Sequence, residues 1–272
     1  DPPSRTDRGI PVSRYDHDRT ELDALLTGLP TYRTEQLWQG LYSDLADPDD
    51  ITTLPATLRS ELVEQLPAAL HLDHRSVSDS GETVKWLWRL ADGSLIETVL
   101  MHYEERSTVC VSSQAGCAMA CGFCATGQMG FDRHLSTGEM VEQVVRAQRE
   151  AGERRVSNVV FMGMGEPLLN YDNVVRAISI LISSEGLAIS PRRLTLSTVG
   201  LADGIRRLGD DMVRFSLAIS LHSANEQKRS GIMPVNKSNP LSKLAESIKY
   251  FHQKTGSRIT YEYLLLKDFN PR

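Results

Sequence analysis

From Thr20 onward the apolar residues follow two periods. Leu22, Leu25 and Leu26 recur at helical spacing, and residues 35–42, opened by Thr34, repeat the i, i+3, i+4 pattern of a second helix. A third helix is predicted over 58–66, shortly after Leu54 and Pro55 and stopped by Pro67. Over 83–90 the pattern changes to alternation, Asp92 and Gly93 give a turn signal, and 95–100 is again extended, which predicts a β-hairpin. Strand-type and helix-type segments then alternate: 108–112 with 137–149, 156–162 with 171–182, 193–197 with 201–208, 215–221 with 241–255, and a last strand over 259–266. Strands alternating with helices imply parallel βαβ units, so the fold class is α/β. The 168 residues from 105 to 272 are too few for an eight-unit barrel of roughly 250 residues. Five strands suggest a partial barrel or an open sheet.

The chain therefore divides into a mobile arm (1–18), rich in Pro, Arg and Asp and without either period, a helical domain (19–72), a β-hairpin linker (73–104) and the α/β region (105–272). A composition of 40% apolar, 24% charged and 6% aromatic residues is that of a globular protein. No apolar run reaches the roughly 18 residues of a spanning helix, and the start Asp1-Pro2-Pro3-Ser4-Arg5 lacks the apolar region of a signal peptide. A cytoplasmic location with no membrane partner is expected. The net charge of −5 gives no support to a simple basic nucleic-acid binder. Residues 1–70 hold 6 basic and 13 acidic side chains, a balance of −7, and the remainder balances at +2, so the acidity is concentrated in the helical part. The pairs Arg154-Arg155, Arg192-Arg193, Arg206-Arg207 and Lys228-Arg229 read as solvated helix ends.

All four cysteines fall between Cys110 and Cys124, whereas a disulfide framework would scatter them through the fold. Cys117, Cys121 and Cys124 form C-x3-C-x2-C on a loop directly after a predicted strand. Thiolates this close can converge on one soft metal centre, and an iron–sulfur cluster held by only three of them keeps an iron open to a substrate. The alternative is a structural zinc site with Cys110 or His134 as fourth ligand, although zinc usually takes paired C-x2-C motifs and only one is present. Outside this loop the residues alone say less. Cys110 reads as a small hydrophobe on a strand, Glu97 as a surface carboxylate, and His222 as a neutral hydrogen-bonded histidine. The apolar run 159–162 ends in Gly163-Met164-Gly165, which permits close backbone approach to a ligand. Strand ends are where ligands sit in α/β folds.

The three-cysteine motif, with Phe123 before its last Cys and a βα array around it, resembles the radical S-adenosylmethionine (radical SAM) superfamily. Val111-Ser112-Ser113-Gln114, Ala125-Thr126-Gly127, Gly163-Met164-Gly165-Glu166-Pro167, Ser197-Thr198-Val199-Gly200 and Ser220-Leu221-His222 together are similar to the RlmN-type RNA adenine-C2 methyltransferases. The Cfr-type adenine-C8 enzymes are close relatives. The likeness runs from about residue 20 to the end. It implies a partial (βα)6-type radical SAM barrel, with five strands in this chain, preceded by a small helical RNA-binding accessory domain and the hairpin. It also implies one [4Fe-4S] cluster with an open iron, S-adenosyl-L-methionine (SAM), an external electron donor, 23S ribosomal RNA and the anticodon loop of tRNA as partners, and a monomer.

Adenine C2 lies between two ring nitrogens and is too electron-poor to attack a sulfonium methyl, an obstacle that a radical route avoids. The cofactor supplies the hard chemistry and the protein orients it. By the family's route one SAM methylates a carrier cysteine and a 5′-deoxyadenosyl radical takes hydrogen from that methyl. The methylene radical adds to adenine, a base removes the ring proton, and a second cysteine frees the product by forming a disulfide with the carrier. Carried over residue by residue, the resemblance assigns Cys117, Cys121 and Cys124 to the cluster, Cys110 to the second cysteine and Glu97 to the base. It assigns Gly165, Glu166, Ser197, Ser220, Leu221 and His222 to SAM. The family's carrier cysteine lies near the C-terminus, and no cysteine follows Cys124, so a C-terminally truncated chain is expected. Two other readings stand beside this one: a radical SAM enzyme that needs no carrier, and a zinc-bound, non-catalytic RNA-binding protein.

Overall fold

The described chain, residues 12–270 of a computed structural model, begins with helices α1 (Arg19–Leu25), α2 (Tyr32–Tyr42) and α3 (Ala56–Gln65). Asp18 starts α1 through a capping box: its carboxylate accepts from Glu21 N, and Glu21 accepts from Asp18 N. Leu22, Leu37, Leu41 and Leu62 turn inward from these helices. Three antiparallel strands follow, β1 (His71–Ser78), β2 (Thr83–Arg89) and β3 (Leu95–His102). The α/β region comprises β4 (Ser107–Cys110), β5 (Gln114–Gly116), α4 (Ala125–Met129), β6 (Phe131–His134), α5 (Thr137–Ala151), β7 (Val156–Phe161), α6 (Tyr171–Ile182), β8 (Leu194–Thr198), α7 (Ala202–Asp210), β9 (Ser216–Ser220), α8 (Glu226–Ile232), α9 (Leu241–Thr255) and β10 (Ile259–Glu262).

The main sheet has eight strands in the order β1-β2-β3-β4-β7-β8-β9-β10. From β4 to β10 neighbours run parallel, each reached through a helical crossover, so the fold is α/β with five parallel strands. β3 joins β4 antiparallel, which makes the meander a continuation of the sheet. Alternation along the strands separates two faces. Val109, Val159, Phe161, Leu196, Leu217 and Ile219 are buried, and α5, α6 and α7 offer Val144, Ile178 and Ile205 to the same core. On the other face Cys110, Asn158, Thr195, Ser197 and Ser220 are small, mostly polar and half-buried.

The structure differs from the sequence reading in several places. The last strand, expected over 259–266, ends at Glu262. The arm assigned to 1–18 lies outside the described residues as far as 11, but from Ser13 the chain is packed. Tyr15 is 1% exposed against Tyr42, and Arg14 pairs with Asp47. These anchors are tertiary contacts, which local periodicity does not report. β1 was not anticipated because all eight of its residues are exposed, so no alternation of burial shapes its sequence. The small β5–β6 ladder and α8 were also missed. Finally, the pair Lys228-Arg229 is not a solvated helix end: Arg229 is 0% exposed. In the other basic pairs Arg154 meets Glu82 at 3.2 Å, Arg206 meets Glu246 at 3.7 Å and Arg207 meets Asp172 at 2.5 Å, all as surface groups. Among the described residues no helix is long and apolar enough to cross a membrane.

One buried charge cluster locks the hairpin onto the α/β region. Arg133 on β6 donates from Nε to Asp92 Oδ2 in the β2–β3 turn at 2.6 Å and from Nη2 to Glu139 Oε1 at 2.6 Å. Glu139 also accepts from Ser136 N as part of the capping box that starts α5. The Arg133 and Glu139 side chains are only 7% and 3% exposed, so removing the guanidinium leaves a buried carboxylate with no counter-ion. Arg133→Met is expected to lower unfolding stability by about 3–5 kcal/mol, read from equilibrium urea denaturation.

Candidate active site

The candidate residues gather at the C-terminal ends of the parallel strands, the end at which α/β sheets hold ligands. Cys110 closes β4, Gly165 and Glu166 follow β7, Ser197 lies near the end of β8, and Ser220 closes β9 ahead of Leu221 and His222. Ser197 Oγ and Ser220 Oγ lie 3.4 Å apart across the two strands.

Glu97 comes to this end from the hairpin. In the β3–β4 register Val99 faces Cys110, and Glu97 is two residues along β3 on the same face. Burial pushes the Cys110 thiol up to about 11, the Met162 backbone N–H works against that rise, and the negative charge of Glu97 adds to it. At neutral pH Cys110 is therefore a thiol. Glu97 is half-exposed, and its Oε1 meets Lys85 Nζ at 2.5 Å. Sequence reasoning did not single out Lys85, although a hairpin turn at Asp92-Gly93 fixes the register that brings it beside Glu97.

Cys117, Cys121 and Cys124 share one loop between β5 and α4. Burial and the neighbouring thiols raise Cys121 to about 11, and burial raises Cys117, with Glu166 and Cys124 adding to the rise. As the side chains stand, no three His, Cys, Asp or Glu among the described residues close into a metal-holding set. The loop itself is fastened by Cys117 N to Gly130 O at 2.6 Å and Gly122 N to Ile232 O at 3.0 Å. The Phe123 ring meets His222 edge-on, with centroids 4.8 Å apart. None of the four cysteines is in a disulfide. The disulfide implied by the resemblance needs a carrier cysteine, and no cysteine follows Cys124.

The glycine loop has a structural cause of its own. A Cβ on Gly163 would lie 2.7 Å from Ser112 Oγ, and one on Gly165, whose φ is +98°, would lie 2.5 Å from Gln114 Cβ. The close approach that these glycines permit includes the chain's own 112–114 segment. There Met164 O accepts from Ser113 N at 2.8 Å, and Gln114 Oε1 accepts from Glu166 N at 2.8 Å. Gln143, 0% exposed, grips the backbone of Ser112 at both its N–H and its C=O.

The Glu166 side chain points into the protein. Oε1 accepts from Thr198 Oγ1 at 2.7 Å and Leu168 N at 3.1 Å, and Oε2 accepts from Val199 N at 2.8 Å. Leu221 and His222 are held by their backbones, which donate to Glu262 O at 3.0 and 3.2 Å. His222 adopts φ 56°, and its Nδ1 accepts from Leu264 N at 3.1 Å. Burial, reinforced by the charge of Arg229, lowers its pKa, so the ring is neutral.

Burial raises Glu166 from 4.5 to about 7 against the opposing pull of its three donors. Below 4.5 the carboxyl is protonated whether the chain is folded or not; between 4.5 and about 7 only the unfolded chain gives up the proton. The folded state then holds more protons, so stability falls as pH rises through this window and levels off above it. The loss is on the order of 3 kcal/mol at about 1.4 kcal/mol per pH unit. Urea unfolding across the same pH range is expected to show this slope in the wild type and not in Glu166→Gln.

Comparison with known proteins places the arrangement. The profile of the Radical SAM superfamily matches residues 111–272. A protein of Dictyoglomus thermophilum named probable dual-specificity RNA methyltransferase RlmN is 46% identical over 252 residues, covering 90% of this chain and 71% of that protein. The Mycolicibacterium smegmatis protein of the same name is 45% identical over 278 residues, covering 96% of this chain and 75% of its own length. The crystal structure of a radical SAM methyltransferase from Sphaerobacter thermophilus superposes with a TM-score of 0.93 at 44% identity, over 96% of this chain and 79% of that one. The chain belongs to the radical SAM superfamily and, within it, to the RlmN family.

Proposed function

We propose that this protein is a radical SAM methyltransferase that methylates C2 of a specific adenine in 23S ribosomal RNA and in the anticodon loop of tRNA. It would work through a methyl-cysteine intermediate whose carrier is a cysteine outside these 272 residues. The observation that carries this reading is the meeting of Glu97 and Cys110 on one sheet face, at the strand ends that bear the three-thiol loop. A carboxylate to accept a ring proton and a thiol to release a sulfur-bound product are the two protein groups that the route demands besides the carrier cysteine.

The donor set fits the implied cofactor. Three soft thiols on one loop, with the Arg229 cation acting on Cys121, suit an anionic sulfide-bridged iron centre. In this reading Cys117, Cys121 and Cys124 hold one [4Fe-4S] cluster and leave an iron open to SAM. When bound and reduced by an external donor, the cluster supplies the electron that cleaves SAM. Ser197, Ser220, the Gly165 backbone and the backbones of Leu221 and His222 line the SAM site. Glu166 shapes it by tying the loop after β7 to the end of β8. Glu97 takes the ring proton, and Lys85 holds its carboxylate in place. Cys110, protonated at neutral pH, waits as a thiol until the release step. The helical domain 19–72 and the hairpin 73–104 serve as accessory elements around the RNA. With a balance of −7 over residues 1–70, the helices guide RNA by shape more than by charge. The protein acts in the cytoplasm as a monomer.

Anaerobic purification followed by iron, sulfide and zinc analysis tests the reading. Iron and sulfide, reductive SAM cleavage, and loss of both on Cys117→Ala, Cys121→Ala or Cys124→Ala are expected. Cys110→Ala is expected to keep the cluster and SAM cleavage. With the carrier cysteine present in the chain, RNA is expected to gain 2-methyladenosine, and Cys110→Ala then stalls with RNA attached to protein. Zinc in place of iron, or 8-methyladenosine as product, would overturn the assignment.

A further inference from the structure

Arg229 differs from the buried Arg133 and Arg14 in having no carboxylate within ion-pair distance among the described residues. It sits in α8, 0% exposed, and its acceptors are neutral oxygens. Nε donates to Leu221 O at 3.1 Å, Nη2 to Val199 O at 2.6 Å and Ser220 O at 3.3 Å, and Nη1 to the Asn236 side chain. One planar fork thus joins the ends of β8 and β9. The same helix ends at Ile232, whose carbonyl accepts from Gly122 N in the cysteine loop at 3.0 Å. Glu226, the acid at the start of α8, is spent elsewhere: Oε1 accepts from Asn236 Nδ2 at 2.5 Å and Oε2 from Leu241 N at 3.0 Å.

A cation buried among carbonyls and amides is costly unless an anion compensates it. Burial accordingly disfavours the charged guanidinium, while Glu226 and the Cys121 sulfur favour it. The thiolates and the iron–sulfur core proposed for the cysteine loop would bring negative charge to that side of Arg229.

We propose that Arg229 is a positioning residue that fastens the ends of β8 and β9 in the shape that receives SAM and sets a fixed positive charge behind the Cys121 side of the cluster. The proposal rests on the reading of Cys117, Cys121 and Cys124 as cluster ligands. Removing the charge makes the cluster harder to reduce, whereas replacing the fork with a single ammonium loosens the strand ends and leaves the charge in place.

The test compares reconstituted wild type with Arg229→Lys and Arg229→Met, each checked for folding by circular dichroism. SAM affinity is measured by calorimetry and the midpoint potential by redox titration followed by electron paramagnetic resonance. SAM affinity is expected to fall about tenfold in both variants, as for the loss of charge-assisted hydrogen bonds. The potential is expected to shift negative in Arg229→Met and to hold in Arg229→Lys. Unchanged SAM affinity in Arg229→Lys overturns the clamp, and an unchanged potential in Arg229→Met overturns the charge. Should Arg229→Met not fold, Arg229→Gln, which keeps hydrogen-bond donors and drops the charge, takes its place; a negative shift is expected, and an unshifted potential overturns the charge. Wild-type protein that takes up no iron and sulfide overturns the cluster reading itself and this proposal with it, a result easily told from loaded protein that ignores the substitutions.

Discussion

The buried carboxylate of Glu166 is the constraint on which the site end of the molecule depends. Parallel strands stop side by side, and the loops leaving them have no ladder to hold them together. Glu166 supplies that hold by accepting from Thr198, Val199 and Leu168, so the loop after β7 and the end of β8 become one unit. Its own N–H donates to Gln114, which adds the segment after β4. On the far side Arg229 joins Val199 to Ser220 and Leu221. The strand ends from β4 to β9 are thus linked through buried polar groups. A half-satisfied network of this kind would cost more than apolar packing, and nearly every member here has its partner. The consequence is a preorganised rim: a ligand bound at the strand ends meets loops whose conformations are already fixed.

The same network accounts for the contrast between the two faces of the sheet. The helix-facing side needs only apolar volume, and Val159, Leu196, Leu217 and Ile219 supply it. The other side is only half-buried, so Asn158, Thr195, Ser197 and Ser220 can be polar, and Cys110 lies on that face with them. Cys110 and Glu97 meet because β3 pairs directly with β4 and so extends the open face across the hairpin. Arg133 then fixes how the hairpin stands against α5, because Asp92 sits in its turn. The hairpin is therefore part of the site wall, which explains how a residue distant in sequence from the cysteine loop comes within electrostatic reach of Cys110.

How much of this was legible depends on whether the signal was local. Tyr171–Ile182 and Leu241–Thr255 matched to the residue, the second because Pro240 starts the helix and Gly256 ends it in the left-handed conformation. Strands β7, β8 and β9 were found because each is a short extended stretch set between helical patterns, with apolar residues on the face that packs against the helices. β1 left no such trace, since a strand exposed throughout has no face to pattern. That Cys117, Cys121 and Cys124 share one loop was readable from their spacing. The inward turn of Glu166 was not, because its partners lie more than thirty residues away on another strand. Arg229 was misread for the same reason: a charged residue in a short polar helix is normally solvated, and only the seating of α8 on the strand ends buries it. Long-range partners, and not residue type, decided both cases.

The least intuitive feature is the thiol of Cys110. Redox-active cysteines are commonly activated by a lowered pKa, yet burial and Glu97 together push this one up to about 11. In the proposed route that direction has a use. A thiolate at Cys110 before the ring proton is removed could attack sulfur too early, and the charge on Glu97 opposes its formation. When Glu97 accepts the ring proton its negative charge is gone, and that part of the penalty on Cys110 disappears with it. The Met162 N–H, which favours the thiolate, then acts without that opposition. In this reading the Glu97 charge, a smaller contributor than burial, links proton removal to product release from two residues along the strand paired with Cys110.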